Sequence, residues 1–181
     1  MKISVYIATS LDGFIAREDG DIEWLHNSGH GDVDKSEDFG YEALMSSVDA
    51  LVMGRNTYEK VLSFGGEWPY GKKPVFVLTN NGVEIPKRIS DTVSSLSGSP
   101  QKIVKEMEKL GHRHIYLDGG ITIQKFLEAG LVDELTITKI PVLIGTGIPL
   151  FGPLSKDVKM KHLQTNTFDN GFVQSRYEVI K

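Results

Sequence analysis

The spacing of apolar residues separates strands from helices along this chain. At the N-terminus Ile3, Val5 and Ile7 alternate with polar neighbours, which predicts a strand with one buried face. Two short and mainly apolar runs, 50–53 and 74–79, are bounded by turn residues. Runs of this kind are typical of strands that are covered on both faces, as in a parallel sheet.

A longer repeat predicts helices. The apolar residues between 41 and 48 follow an i, i+3, i+4, i+7 pattern, and residues 34–37 have the spacing of a capping box, so a helix is expected over 34–48. Another helix is expected to begin at Ser99-Pro100, with proline in its first turn, and to end at Gly111.

The remaining elements follow from the same criteria. Helices are expected over 57–62 and 122–129, and strands over 114–117, 135–138, 159–168 and 172–180. Residues 19–31 predict a long irregular loop, 83–98 a connecting stretch with one short strand, and 144–152 a glycine-rich loop. This order predicts an α/β fold with a mostly parallel sheet, helices on both faces and an antiparallel hairpin at its C-terminal edge.

Composition narrows the functional classes. The 181 residues, 40% hydrophobic and 24% charged, predict one soluble domain spanning 1–181. A net charge of −4 without a basic run argues against non-specific nucleic-acid binding, and no apolar run is long enough to span a membrane. The chain lacks cysteine and its N-terminus lacks a signal-peptide core, so a cytoplasmic protein without thiol chemistry is expected.

One stretch joins a strand end to groups that bind phosphate. The run 50–53 leads directly into Gly54, Arg55 and Thr57 and a predicted helix. Glycine lets a backbone approach a ligand, arginine offers a charged fork, and the amides of a helix N-terminus attract anions. The pattern predicts a phosphate site at the carboxyl end of a strand, and the alternative is a plain strand-to-helix turn with a surface arginine.

Three motifs, in this order along the chain, resemble one known superfamily. Residues 53–59, MGRNTYE, resemble the cofactor signature of the dihydrofolate reductase superfamily. Residues 7–16, which include Ser-Leu-Asp-Gly, resemble its first strand and loop, especially in the reductase domain of bacterial riboflavin biosynthesis, and 116–120 resemble a later strand and Gly-Gly turn. The resemblance spans nearly the whole chain and implies a dihydrofolate reductase-like, three-layer α/β/α fold.

The resemblance also implies NADPH as the cofactor. The residues expected to contact it are Ala8 on the first strand, Gly54, Arg55, Asn56 and Thr57 on the 2′-phosphate side, Thr79 and Asn80 near the adenosine, and Gly119, Gly120, Ile121 and Thr122 around the diphosphate. On the residues alone, 79–80 can equally form a polar turn and 119–120 a tight turn. The GxGxxG motif of dinucleotide-binding proteins is absent from the sequence.

Three carboxylates are candidates for handling a proton or orienting a small-molecule substrate. By resemblance Asp12 lines the active-site cleft, Asp38 falls near the substrate carboxylate of the folate enzymes, and Asp118 stands where riboflavin reductases carry glutamate. Their alternative roles are, respectively, an Asp-Gly turn, a solvated helix face and a helix cap. Ser10 and Trp24 are the expected substrate contacts, with Trp24 stacking from the long loop, and the alternative role of Trp24 is that of a packing anchor.

The expected function is NADPH-dependent reduction of an imine or carbonyl in a small heterocycle, most like 5-amino-6-(5-phosphoribosylamino)uracil reductase. The aspartate at 118 leaves the substrate open, as does the lack of a basic cluster for a ribose-phosphate other than Lys72-Lys73. The alternatives are dihydrofolate reduction, with Asp38 directed at a pteridine, and a non-catalytic nucleotide-binding protein.

Two further expectations concern assembly and metals. The resemblance implies a homodimer, because this branch of the superfamily often dimerises through edge strands. His26 and His30 have i, i+4 spacing, but adjacent glycines disfavour a helix and the sequence offers no evident third ligand, so no metal site is expected.

Overall fold

The structure, a computed structural model, describes residues 1–26 and 37–181. The strands are β1 (Lys2–Ser10), β2 (Phe14–Ala16), β3 (Ala50–Gly54), β4 (Val75–Leu78), β5 (Val93–Leu96), β6 (His114–Asp118), β7 (Glu134–Ile140), β8 (Ile148–Pro149), β9 (Met160–Thr167) and β10 (Val173–Val179). The helices are α1 (Glu23–His26), α2 (Tyr41–Ser47), α3 (Arg55–Ser63), α4 (Pro100–Lys109) and α5 (Gly120–Glu128), and Lys87–Ile89 forms a 3-10 turn.

The central sheet contains eight strands in the order β5-β4-β3-β6-β1-β7-β10-β9. The strands from β5 to β7 in this order run parallel, whereas β10 is antiparallel to both β7 and β9. The predicted parallel sheet with an antiparallel C-terminal hairpin is confirmed. Because the parallel strands all end at the same edge, the segments that follow β1, β3, β4 and β6 are brought together there.

Helices cover both faces of this sheet. On one face, α4 and α5 contribute Ile103, Met107 and Phe126 to a core with the buried side chains of β1 and β6. On the other face, α3 contributes the fully buried Tyr58, which packs with Leu51 and other strand residues. The three-layer α/β/α arrangement implied by the resemblance is therefore observed. Along the described parts of the chain, none of the helices has the length and apolar character needed to cross a membrane.

The helix predicted over 34–48 is shorter than expected. Residues 34–36 of the predicted capping box lie outside the described residues, and α2 begins only at Tyr41. Phe39 and Gly40 have φ angles of 55° and 82°, which belong to the left-handed region and interrupt a right-handed helix. Asp38 therefore precedes the helix, which corrects its predicted position on a helix face.

Two other boundaries differ from the prediction. Helix α3 begins at Arg55 rather than at Thr57, so the arginine belongs to the first helical turn. The loop expected over 19–31 contains the single helical turn α1, and its residues 27–31 lie outside the described residues. Strands β2 and β8 pair in a separate two-stranded sheet, which the sequence analysis missed because three and two residues are too short to show a period.

Candidate active site

The carboxyl ends of β3 and β6 lie side by side, with Met53 opposite Asp118 in the parallel register. Directly beyond them, α3 begins at Arg55 and α5 begins at Gly120. No side chain in the described part of the chain caps either helix N-terminus. The first-turn N–H groups of two neighbouring helices are therefore left for an external acceptor, and both helix dipoles favour an anion at this edge.

Two glycines let these helix starts interlock. A Cβ added at Gly54 would lie 2.7 Å from Oγ1 of Thr122, and one added at Gly119 would lie 2.5 Å from Oγ1 of Thr57. Gly119 also has φ 95° and ψ 131°, a conformation that side chains strongly disfavour. The two glycines that were predicted to let a ligand approach thus make room for two threonine hydroxyls. These close contacts hold the starts of α3 and α5 in a fixed position relative to each other.

Arg55 remains accessible on the first turn of α3. Its Nε lies 3.6 Å from Oε1 of Glu59 one turn later, and both side chains are about half exposed. An exposed i, i+4 pair of this kind contributes only about 0.3–0.5 kcal/mol. The guanidinium is therefore free to exchange this partner for a phosphate, and the exposed Asn56 lies beside it.

The predicted adenosine contacts lie at the same edge. Thr79 and Asn80 follow β4, whose Leu78 pairs with Gly54 at the end of β3. The Thr79 hydroxyl donates to the carbonyl of Gly82 over 3.1 Å, so it also closes a local turn. The sequence left two roles open for Thr79, a polar turn and a ligand contact. The structure shows the turn, and the turn does not prevent the contact.

The small β2–β8 sheet covers the start of α5. The Cδ1 atom of Ile15 lies 2.7 Å from the position of a Cβ added at Gly120, and Ile148 lies 3.5 Å from it. The next residue, Ile121, is 58% exposed, whereas Thr122 is buried. The Gly-Gly turn is therefore packed under this sheet on one side and open on the other.

Asp12 organises the loops of this edge. Its carboxylate accepts hydrogen bonds from the Ser10 hydroxyl (2.6 Å), the Gly145 N–H (2.8 Å) and the Ile144 N–H (3.2 Å). These bonds, above all the one from Ser10, lower the pKa of Asp12 and keep it ionised. Ser10 is fully buried and also accepts from the N–H of Phe14. Both side chains hold the loop after β1 against the glycine-rich loop, and their contact with a substrate stays a prediction.

Replacing Asp12 with alanine is expected to lower the free energy of unfolding by about 1 kcal/mol, because two loop N–H groups lose their acceptor at an exposed site. Urea unfolding measures this loss, and hydrogen exchange at Ile144 and Gly145 locates it. Asp91→Ala, at an exposed loop carboxylate before β5, is the control. Equal exchange rates in the two variants would contradict the assignment.

Asp118 is a half-buried carboxylate at the end of β6. Burial raises its pKa to about 6, although the Gly119 N–H, at 2.7 Å, and the Tyr116 side chain offset part of that rise. A carboxyl group with this pKa carries a proton in part of the molecules near neutral pH, which suits it to proton transfer. The raised pKa of Asp118 suits the predicted proton-handling role, which stays a prediction.

Tyrosines surround Asp118, and the sequence analysis did not assign them to the site. Burial is the main cause of the raised pKa values of Tyr41, Tyr70 and Tyr116, and the Asp118 carboxylate raises all three further. These residues come from α2, from the loop after α3 and from β6 itself. The only sequence signal that Tyr70 belongs to the site was its place in a Trp-Pro-Tyr segment between glycines. Tyr41 gave no such signal, because it has the spacing of an ordinary core position.

Trp24 lies on α1 rather than on an irregular loop. It is 6% exposed and packs with Ile140 and Phe172, beside the partly buried Ala8 of β1. Its indole N–H is buried and has no hydrogen-bond partner among the described residues. Trp24 and Ala8 thus belong to the same packed region, and their contacts with substrate and cofactor stay predictions.

Asp38 has a local role in the chain. Its two carboxylate oxygens accept from the N–H groups of Gly40 (2.9 Å) and Glu42 (2.7 Å), which joins it to the first turn of α2. These bonds lower its pKa. Asp38 thus has a structural role at the start of α2, and its contact with a pteridine ring stays a prediction. Among the described residues no group of three or more histidine or carboxylate side chains is placed to hold a metal ion, and His30 lies outside them.

Comparison with known proteins identifies the family to which this architecture belongs. Residues 1–174 match the model of the RibD C-terminal domain. The chain is 34% identical over 179 residues to the uncharacterised protein YwjB of Bacillus subtilis, covering 97% of both chains. It is 41% identical to the crystal structure of a putative riboflavin biosynthesis protein from Shewanella sp. PV-4, with a TM-score of 0.93 and 100% coverage of both.

A more distant structure shows the same fold. The diaminohydroxyphosphoribosylaminopyrimidine deaminase/5-amino-6-(5-phosphoribosylamino)uracil reductase of Thermotoga maritima superposes with a TM-score of 0.74 at 16% identity, over 99% of this chain and 56% of that one. The family match and the two closer relatives cover almost the entire sequence. The chain is therefore a member of the RibD C-terminal domain family.

Proposed function

We propose that this protein is an NADPH-dependent reductase that transfers hydride to an imine or carbonyl carbon of a small heterocycle. The observation that carries the proposal is the meeting of an accessible arginine, two uncapped helix N-termini and a carboxyl group of raised pKa at one edge of the sheet. The first two features suit the phosphates of a dinucleotide, and the third suits a proton donor.

The residues present fit NADPH at this edge. Arg55 binds the 2′-phosphate, and the first-turn amides of α5 at Gly120 and Ile121 bind the diphosphate. Thr57 and Thr122 fix the distance between these two groups through their contacts with Gly119 and Gly54. When bound, NADPH supplies the hydride.

Asp118 completes the reaction by supplying a proton. It donates this proton to the nitrogen of an imine, or the oxygen of a carbonyl, next to the carbon that receives the hydride. One hydride and one proton together convert the double bond to a single bond, and Asp118 is then reprotonated from solvent. Burial keeps the pKa of this carboxyl group close to the working pH. Its negative charge in turn raises the pKa values of Tyr41 and Tyr70.

Titration calorimetry with NADPH and NADH tests the cofactor assignment. Wild-type protein is expected to prefer NADPH, and Arg55→Ala to weaken NADPH by about 1.5–3 kcal/mol, the contribution of a charge-assisted hydrogen bond, with NADH little changed. Arg113→Ala, at an exposed arginine before the amino end of β6, is the matched control. Equal weakening of both cofactors would remove Arg55 from the 2′-phosphate site, and no binding of either by the wild type would refute the reductase proposal.

A further inference from the structure

A cleft lies between α2 and the strands β1, β7, β10 and β9. Its volume is about 610 Å³, and side chains from all five of these elements line it. The residues proposed above to bind NADPH belong to the described part of the chain, and they do not line this cleft. Sites for small molecules in proteins have volumes of about 300–1,000 Å³. The cleft is therefore large enough for a ligand of its own.

Strand pairing places polar side chains in a row across the floor of the cleft. Thr136 of β7 pairs with Tyr6 of β1 on one side and with Arg176 of β10 on the other, and Arg176 pairs in turn with Gln164 of β9. Directly paired residues project from the same face of a sheet, and these four all line the cleft. The floor thus places the Arg176 guanidinium between a hydroxyl and an amide.

The charged groups at the amino end of the cleft are already engaged. Lys2 and Glu134 form an ion pair at 3.2 Å. The Nδ1 atom of His114 lies 3.0 Å from the carbonyl of Ser47, which can only accept, so Nδ1 carries the proton and Nε2 accepts from the Ser4 hydroxyl at 2.8 Å. Burial lowers the pKa of His114, which keeps the imidazole neutral.

The opposite end of the cleft is aromatic. The rings of Phe39 and Phe168 pack edge-to-face with their centroids 4.8 Å apart, and both residues line the cleft. The Gln174 amide donates to the carbonyl of Phe39 over 3.0 Å, which fixes this end against β10. Leu44 of α2 adds a further apolar side chain to the lining.

Arg176 is the charged group of this cleft that is best placed to bind a ligand. It is exposed, and the ion pairs formed within residues 1–26 and 37–181 do not include it. Glu37, which also lines the cleft, accepts the N–H of Phe39 at 3.0 Å. A guanidinium offers N–H donors in a planar fork that fits two oxygens of a carboxylate or a phosphate.

We propose that this cleft is a second ligand site, which takes a small organic anion with a flat apolar ring. The anionic group binds Arg176, and the ring packs against Phe39 and Phe168. The hydroxyl of Thr136 and the amide of Gln164, both paired with Arg176, can donate to the same oxygens. A carboxylate and a phosphate present the same chemistry to the guanidinium, and the experiment distinguishes them. The site is separate from the proposed reduction and does not depend on it.

Titrations of the full chain, followed by proton–nitrogen NMR spectra, test the site with benzoate, phenyl phosphate, benzamide and acetate. We expect benzoate or phenyl phosphate to bind with a dissociation constant of about 1 mM or lower, and the tighter of the two identifies the anionic group. Benzamide lacks the charge and acetate lacks the ring, so each is expected to bind about tenfold or more weakly. The backbone N–H signals of Thr136, Gln164 and Arg176 are expected to shift.

Three results of these titrations would overturn the proposal. The first is a failure of both benzoate and phenyl phosphate to bind. The second is benzamide or acetate binding as tightly as the better of these two anions. The third is a set of signal shifts confined to the helix starts at Arg55 and Gly120, because the anions would then occupy the proposed cofactor site.

Variants link binding to the cleft. Arg176→Gln is expected to weaken the ring anion about tenfold or more, because it removes the charge-assisted hydrogen bonds. Lys139→Gln is the matched control, since Lys139 is exposed on β7 and three residues from Thr136, which places it on the opposite face of the sheet. It is expected to leave the affinity unchanged. Equal losses in the two variants would show a general effect of charge and overturn the assignment.

A third variant tests the cleft without changing its charge. Ala43 is exposed on α2 and lines the cleft, so Ala43→Leu narrows it and is expected to weaken the ring anion. All three substitutions are at exposed positions and are expected to leave the midpoint of urea unfolding unchanged. Wild-type affinity in both Ala43→Leu and Arg176→Gln would place the ligand elsewhere and refute the proposal.

Discussion

Asp118→Asn is expected to lower kcat by about 10²–10⁴-fold, the usual effect of removing a positioned general acid. Asparagine has the same shape and can still accept the Gly119 hydrogen bond, but it has no acidic proton to donate. The affinity for NADPH is expected to remain unchanged, because the cofactor contacts lie on α3 and α5. The rate is measured as steady-state oxidation of NADPH with a heterocycle that the wild-type protein reduces. The affinity for the cofactor is measured by calorimetric titration.

The pH dependence provides a second readout. The protonated carboxyl group is the active form, so wild-type kcat is expected to fall as pH rises through about 6, the pKa that burial gives Asp118. In Asp118→Asn this part of the profile is expected to become flat. An unchanged rate in the variant would reassign Asp118 to the capping of Gly119, the alternative that the sequence left open.

The same substitution is expected to stabilise the folded protein at neutral pH. Folding raises the pKa of Asp118 from 3.8 to about 6, so the native state binds the proton more tightly, and stability is lost as pH rises through that range. Above pH 6 the ionised carboxylate therefore opposes folding, and asparagine relieves about 1–3 kcal/mol of this cost. The gain should vanish below about pH 4, and Asp91→Asn should show none.

Opposite effects on rate and stability are informative together. Replacing a residue that served only packing or capping would make the protein less stable. Replacing a carboxylate that is retained for chemistry makes the protein slower but more stable. The burial that makes Asp118 costly is also what brings its pKa close to the working pH. The burial of Asp118 is therefore a functional feature of the site.

The sequence predicted the parts of this fold that local patterns encode. The run 50–53 has no polar interruption, and it forms the buried part of β3 with Gly54 and Arg55 directly after it. Ser99 and Pro100 start α4 as expected, with the Ser99 hydroxyl accepting from the Lys102 N–H at 3.4 Å. Such signals act within a few residues, so one sequence is enough to detect them.

The parts that the sequence did not predict depend on distant residues. Tyr41, Tyr70 and Asp118 meet only because α2, the loop after α3 and β6 are adjacent in space, and no spacing in the chain encodes that meeting. The break before α2 depends on the left-handed Phe39, a conformation that a phenylalanine rarely adopts and that composition does not reveal. The part that Asp12 plays in joining two loops could not be predicted, because its partners Ile144 and Gly145 lie far along the chain.

Gly119→Ala is expected to lower the free energy of unfolding by about 2–5 kcal/mol. The substitution has two costs, the strain of a positive φ angle and a steric clash of the new methyl group with Thr57. The backbone at Gly119 has φ 95°, and the new methyl group would lie 2.5 Å from Oγ1 of Thr57. Relief of the collision would push α3 away from α5, so NADPH affinity is expected to fall in parallel. Urea unfolding and calorimetric titration measure the two losses.

Gly111→Ala separates the two causes of this destabilisation. Gly111 has a similar φ of 90°, but a Cβ added there meets nothing within 4 Å, so only the strain of about 1–2 kcal/mol applies. Adding Thr57→Ala to Gly119→Ala removes the colliding hydroxyl and is expected to recover the difference, a coupling that a double-mutant cycle measures. Equal destabilisation by Gly119→Ala and Gly111→Ala, with no coupling to Thr57, would show that the two helix starts are not held together by this contact. Coupling with a parallel loss of cofactor affinity would establish that one glycine–threonine contact sets the distance between the two anion-binding helix ends.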